Sequence, residues 1–168
     1  MAPKLEKVLD FRGYIAVGGE LLNEIPVKGG AHRMLVQAKG GFIRGVGPAA
    51  GFNADLKPFS ADYILLDPTT GTAHLNVRII AATPSGDTLY LHYPGILKMN
   101  EAVGKIIAAS GDAKATDYGD TEWFTTPVIE TSSKEFKWLE SSVLVGQGHW
   151  HIDEQGTAAE YEVYRLVN

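Results

Sequence analysis

The sequence predicts a mainly β protein: a single antiparallel β-barrel of about eight strands with one short helix. Three observations carry this. Stretches of apolar–polar alternation recur along the chain, punctuated by Gly, Pro, Asn and Asp. Nineteen of the 168 residues are glycine, as suits a sheet that must curve. Only one stretch has helical spacing. An open sheet of this size would leave two bare edges, and closure removes them. A ring of about eight strands holds side chains or one small ligand. The length predicts one domain, 1–168, with a substantial core.

The first strand covers residues 7–17, KVLDFRGYIAV, and Gly18-Gly19 ends it. Leu21–Val27 reads as a connection or a short strand. Gly29-Gly30 leads into Ala31–Ala38, and Gly40-Gly41 reads as a turn into a further strand, Phe42–Val46. Residues 47–60, GPAAGFNADLKPFS, read as a long irregular loop, either a lid or rim or a poorly ordered connection. Ala61–Asp67 is the next strand, and Asp67-Pro68-Thr69-Thr70-Gly71 turns out of it.

The centre of the chain is a hairpin, Thr72–Thr83 and Asp87–Tyr93, turning through Pro84, Ser85 and Gly86. The loop fits a type I turn followed by a left-handed glycine. That register pairs Arg78 with His92 and Ile80 with Tyr90. Ala73, Leu75, Val77, Ile79 and Ala81 share one face; His74, Asn76, Arg78, Tyr90 and His92 share the other.

Beyond Gly95, Asn100 can cap a helix from Glu101 to Ala109, stopped by Ser110-Gly111. Ala102, Val103, Ile106 and Ile107 give it an apolar stripe, so it packs on the sheet or plugs one end. Trp123–Thr131 reads as a strand with an edge or bulge at Pro127. Ser132 and Glu135 have capping-box spacing for one helical turn to Trp138. Ser141–His151 and Glu160–Val167 complete the strands.

Composition narrows the function. Fifteen basic and twenty acidic residues give a net charge of −5, which disfavours nucleic acid as partner. Without cysteine, disulfides and thiolate catalysis are excluded. No apolar run reaches the ~20 residues of a membrane helix, and the N-terminus lacks the apolar stretch of a signal peptide. The expectation is a cytoplasmic protein. Gly45-x-Gly47 lacks the strand-to-helix context of a nucleotide site, and no nucleophile elbow occurs.

The polar hairpin face has two readings. It is the solvated side of an antiparallel sheet, or it is the polar wall of a cavity, where Arg78 and Asn76 hold a developing oxyanion while His74 moves a proton. Arg78 sits mid-strand beside the apolar run Ile79–Ala82, with amphipathic Tyr90 and His92 as neighbours, and on that ground it is expected to face inward. A buried guanidinium needs an acid, and Glu140 and Asp62 are the candidates. In an apolar barrel the Glu140 pKa would rise, as suits an acid or base near neutrality; the other reading of Glu140 and Asp62 is a surface residue or an ion-pair partner of Arg78. Tyr63, Phe124 and Trp138 read, like Trp123, Phe136 and Tyr93, as barrel aromatics suited to a polyketide-like ligand. His149 and His151 point the same way, as two exposed histidines near a strand end or as the start of a metal site.

Several segments resemble the β-barrel family known as domain of unknown function 3237. They are Ala61-Asp62-Tyr63, Leu75-Asn76-Val77-Arg78, Gly86 through Leu89-Tyr90 to Gly95, Thr125-Thr126-Pro127 with Glu130-Thr131, and Trp138-Leu139 before the strand at Ser141–Val145. The resemblance spans roughly residues 40–167 and implies a lipocalin-like barrel; fungal members look like accessory proteins of specialised metabolism. This chain departs from the family pattern at Asn76 (Asp in the pattern), Phe124 (Arg) and Glu140 (Asn).

The expected function is a cofactor-independent cyclase, isomerase or dehydratase acting on a small hydrophobic metabolite, aromatic, polyketide or terpenoid in type. Its expected catalytic residues are Arg78, Glu140, His74, Asn76 and Asp62. Its expected ligand contacts are Tyr90, His92, Phe124, Trp138 and Tyr63. No cofactor and no metal are called for, and self-association into a homodimer is left open. The alternative is a non-catalytic carrier with the same apolar pocket.

Overall fold

The computed structural model describes residues 2–168, with backbone alone over residues 22–24. Eleven strands form one antiparallel sheet: β1 Lys4–Ile15, β2 Leu22–Pro26, β3 His32–Gly45, β4 Asn53–Leu56, β5 Ala61–Asp67, β6 Thr72–Ala82, β7 Thr88–Lys98, β8 Trp123–Thr125, β9 Val128–Thr131, β10 Leu144–Asp153 and β11 Gly156–Val167. Eight of them close a ring in the order β1, β3, β5, β6, β7, β8, β10, β11 and back to β1. β2 lies on β3, β4 bridges β3 and β6, and β9 extends β7.

The central hairpin has the expected register, with Arg78 opposite His92 and Ile80 opposite Tyr90. Gly86 turns it at φ 92°, and the Gly86 N–H donates to the Thr83 carbonyl at 3.0 Å. β7 runs on past the expected end at Tyr93, through Pro94 and Gly95 to Lys98. Pro94 is tolerated because the flanking strand breaks opposite it. β9 pairs with β7 up to His92 and β8 resumes at Gly95. The expected single strand Trp123–Thr131 is therefore two, divided at Thr126-Pro127.

Three other expectations are corrected. Gly40-Gly41 is not a turn: β3 passes through it as one strand of 14 residues. Gly41 has φ 134°, and a Cβ there would lie 2.0 Å from the Arg12 carbonyl oxygen. The pair of glycines bends β3 tightly over β1 as the ring curves. Residues 47–60 are not an irregular loop. They hold a 3₁₀ turn, Gly47–Ala49, and β4, with Phe52, Ala54 and Leu56 buried. The helical turn expected up to Trp138 is a 3₁₀ turn at Lys137–Ser141. The Ser132 hydroxyl instead accepts the Thr88 N–H at 2.8 Å, tying the β9 end to β7.

The helix, α1, spans Glu101–Ile107. The Asn100 side chain accepts the Val103 N–H at 2.9 Å. Ala109, with φ 53°, closes a Schellman motif in which the Ser110 N–H donates to the Lys105 carbonyl at 2.9 Å and the Ala109 N–H to Ile106 at 3.0 Å. Val103 and Ile106 are wholly buried. Asn100→Ala removes the cap. It is expected to lower stability by about 1 kcal/mol, read as a lower urea midpoint at unchanged slope. Among the described residues, no helix is long and apolar enough to cross a membrane.

The two halves of the barrel interior differ. At the end spanned by β4 and the 137–141 turn, Leu9, Ile43, Leu56, Leu89, Ile129 and Leu144 pack solidly. At the α1 end, the walls enclose space.

Candidate active site

The space at the α1 end is a cavity of about 770 Å³, within the range of small-molecule sites. Gly104, Ile107 and Ala108 of the α1 segment line it, as do Val17 to Gly19 from the turn after β1. Gly18, at φ 59°, lets that turn pack on Ala109, where a Cβ would lie 3.0 Å from the alanine methyl. Together these segments cover the end of the ring.

Alternation decides what points in. The inward face of β6 is Ala73, Leu75, Val77 and Ile79, and β3 and β5 add Met34, Val36, Ile64 and Leu66. The floor is aromatic. Phe11 stacks on Tyr161 with ring centroids 5.4 Å apart, Tyr93 meets Tyr161 edge-on at 5.7 Å, and Trp123 does so at 5.1 Å. Trp150 lies 4.7 Å from Trp123. Glycine makes the room: a Cβ on Gly148 of β10 would sit 2.6 Å from the Trp123 indole.

Asp62 is the single carboxylate among the described lining residues, and no lysine or arginine lines the cavity with it. Val36, Asp62, Val77 and Tyr93 stand level across β3, β5, β6 and β7. The ladder between β5 and β6 opens beside Asp62: pairs form at Ala61–Arg78 and Asp62–Val77 and resume only at Leu65–His74. In the gap the Asn76 N–H donates to Asp62 Oδ1 at 2.8 Å, so a side-chain oxygen replaces a backbone acceptor. Part of the Asp62 surface faces the cavity, while the walls keep the carboxyl from bulk water. That burial pushes its pKa up to about 7, against the opposing pull of the Asn76 N–H.

The two phenols behave differently. Burial holds the Tyr93 pKa well above its ordinary value, with Tyr161 adding to the effect. Burial also raises Tyr161, opposed by Tyr93, which favours its ionised form. Both stay protonated donors, while Asp62 exchanges its proton near neutrality. Three enclosed nitrogens have no hydrogen-bond partner among the described residues: Nε1 of Trp123, Nε1 of Trp150 and Nδ1 of His32. All three belong to residues of this wall.

The sequence brought one of its five expected catalytic residues to this place, Asp62. Arg78, Asn76 and His74 lie on the outer face, exposed; the inward direction expected of Arg78 is corrected. Their strand neighbours Leu75, Val77 and Ile79 are apolar and take the interior, and alternation leaves the polar set outside. Arg78 forms no ion pair with either expected acid. Glu140 is also outside. Lys137 pairs with it at 2.8 Å, the Thr131 N–H donates to it at 2.7 Å, and these lower its pKa rather than raise it.

The expected ligand contacts are outside too. Tyr90 and His92 lie side by side on the outer face, 5.4 Å apart. Phe124 and Tyr63 are exposed, and Trp138 packs under the Arg165 guanidinium at 4.8 Å. His149 and His151 share the outer face of β10, and each has its own partners. His149 Nδ1 is 2.8 Å from the Thr116 carbonyl and its ring packs on Tyr118; His151 meets Asp153 at 3.0 Å. The residue missed was Tyr161; Tyr93, expected among the barrel aromatics, lines the cavity. The signal was there: Tyr93 alternates in phase with Leu89 and Leu91, and Tyr161 with Val163.

The chain belongs to the family described as "Protein of unknown function (DUF3237)", whose model matches residues 3–166. It is similar to PR-toxin biosynthesis cluster protein 7 of Penicillium roqueforti, with 25% identity over 123 residues. That match covers 73% of this chain and 66% of that protein, just under two thirds of its length. Among solved structures, a conserved protein of unknown function from Rhodopseudomonas palustris superposes with TM-score 0.80 at 20% identity, covering 99% of both chains. An enzyme from Penicillium herquei superposes with TM-score 0.60 at 14% identity, covering 99% of this chain and 96% of that one. At those identities the superpositions establish the shared barrel and no chemistry.

Proposed function

We propose that the protein is a cofactor-independent enzyme of specialised metabolism, a cyclase, isomerase or dehydratase acting on a small hydrophobic molecule held in the barrel. The observation that carries this is one titratable carboxyl in an otherwise apolar, aromatic-floored cavity. A carrier needs apolar walls, and a buried acid weakens it. An enzyme gains a group that takes and returns a proton at neutral pH. The cavity fixes the substrate's conformation, and the phenols supply hydrogen bonds to developing charge. The similarity to a toxin-cluster protein supports the same reading. The chemistry draws on Asp62, not on Arg78, Glu140, His74 or Asn76.

The test is incubation with an extract rich in uncharged polyketides and terpenoids, followed by mass spectrometry. Wild type is expected to convert at least one component to an isomer of equal mass, or to a product short of one water, and Asp62→Asn to leave it unchanged. A carrier would enrich the same component in both forms and convert it in neither.

A further inference from the structure

We propose that the molecule taken by this cavity is an uncharged carbonyl compound, its oxygen held by the Tyr161 phenol, which Tyr93 positions, and the adjacent carbon facing Asp62, and that these groups move a proton through the corresponding enol. This rests on the enzyme reading above and specifies its substrate class.

The first argument is charge. With one carboxylate and no lysine or arginine among the described lining residues, a carboxylate, phosphate or sulfate on the ligand would be buried without a counter-charge beside Asp62. The second is donor direction. Tyr93 and Tyr161 remain protonated and so present O–H groups, which call for an acceptor on the ligand. Tyr93, edge-on to Tyr161, favours charge on the Tyr161 oxygen, so Tyr161 is the stronger donor when negative charge builds on a bound oxygen. Tyr93 acts through Tyr161 as a positioning residue. The third is placement. Asp62 and Tyr93 stand level on β5 and β7, with only Val77 of β6 between them, so their backbones are roughly 10 Å apart, two strand spacings. A ring lying over Val77 reaches the carboxyl with one edge and the phenols with the other.

The step balances without a co-reactant. The Asp62 carboxylate takes a proton from the carbon beside the carbonyl. The C–H pair becomes the new C=C bond, and the carbonyl π pair moves onto oxygen, where the Tyr161 O–H stabilises it. The Asp62 carboxylic acid then returns the proton to the same carbon or to a conjugated one, restoring the carbonyl. Asp62 needs to be ionised at the start; the phenols that line the cavity with it are Tyr93 and Tyr161, and His32 of β3 lines it farther along the same wall, level with Leu66 of β5.

The matched probes are 2-tetralone and tetralin, one carbon skeleton with and without the carbonyl. By calorimetry, wild type is expected to bind 2-tetralone about tenfold more tightly than tetralin, as one hydrogen bond of ordinary strength provides. Tyr161→Phe should bring the ratio close to one and leave tetralin unchanged. By NMR in D₂O, wild type should speed exchange of the protons next to the carbonyl about a hundredfold or more over buffer. Asp62→Asn should return exchange to the buffer rate. Tyr93→Phe, which keeps the Tyr161 hydroxyl, should slow exchange by less than Tyr161→Phe does, and it serves as the second variant if Tyr161→Phe folds poorly by circular dichroism. If neither probe binds, the cavity is not a small-molecule site and the enzyme reading falls with this one. If both bind equally, the oxygen site is wrong and the enzyme reading survives. If 2-tetralone is preferred but exchange stays at the buffer rate, the proton-transfer proposal is overturned.

Discussion

Replacing Asp62 with asparagine is expected to abolish turnover and, at pH 8, to make the protein more stable. The unfolded chain releases this proton near the ordinary carboxylate value of 3.8, whereas the native chain holds it to about 7. Between those values the native state carries more protons than the unfolded one, so stability falls as pH rises across the window and levels off above it. Three pH units correspond to about 4 kcal/mol at most, and the partial exposure of Asp62 reduces this to about 2 kcal/mol. Asparagine keeps a side-chain oxygen for the Asn76 N–H and carries no charge. The variant should therefore melt several degrees higher than wild type at pH 8, about 2–4 °C per kcal/mol in a protein of this size, and match it near pH 4. Activity should move the opposite way, rising in wild type through about pH 7 as the carboxyl ionises. Melting curves of the two proteins that stay parallel from pH 4 to pH 8 would remove Asp62 as the buried base.

Gly41→Ala is expected to cost about 3 kcal/mol or more, and Gly40→Ala less than about 1 kcal/mol. The two glycines are adjacent on β3, yet their surroundings differ. Gly41 holds φ 134°, and its added Cβ would lie 2.0 Å from the Arg12 carbonyl oxygen and 3.0 Å from the Gly13 Cα. Both obstacles are backbone, and a side chain cannot swing away from them. Around Gly40 nothing lies within 4 Å. Gly41 stands opposite Gly13 where β3 passes β1, so displacement there pulls on one of the ring's seams. Chemical denaturation of both variants reads the difference; equal midpoints would show that the bend does not depend on Gly41.

The alternating segments carried most of the barrel in plain view. The hairpin register was legible because turn chemistry and alternation agreed on it, and α1 because Asn100 and the apolar stripe agreed on that. Gly40-Gly41 misled because a glycine pair serves a turn and a tight strand bend equally well, and only the partner strand distinguishes them. The site was half legible. Asp62 was visible as a carboxyl in the right segment, but its partner was sought in Arg78 when it is the backbone of Asn76, two residues earlier. Arg78, His92 and Tyr90 attracted attention because their types suit catalysis. Their position in the alternation put them outside, and position decided. Tyr161 went unnoticed because its companions on the floor come from β1, β7 and β8, far apart in sequence.

The solid packing at one end of the barrel and the open space at the other divide the labour of the strands. Each long strand contributes to both: β6 gives Ala81 to the packed end and Val77 to the open one, and β7 gives Leu89 and Tyr93 in the same way. Exchanging one apolar residue for another around the opening reshapes the chamber and leaves the clamp that holds the ring untouched. A scaffold of that kind lets descendants trade substrates by small steps without first finding a new way to fold. The Rhodopseudomonas protein, which shares a fifth of its residues with this chain along the same barrel, shows how far sequence can drift while the fold endures.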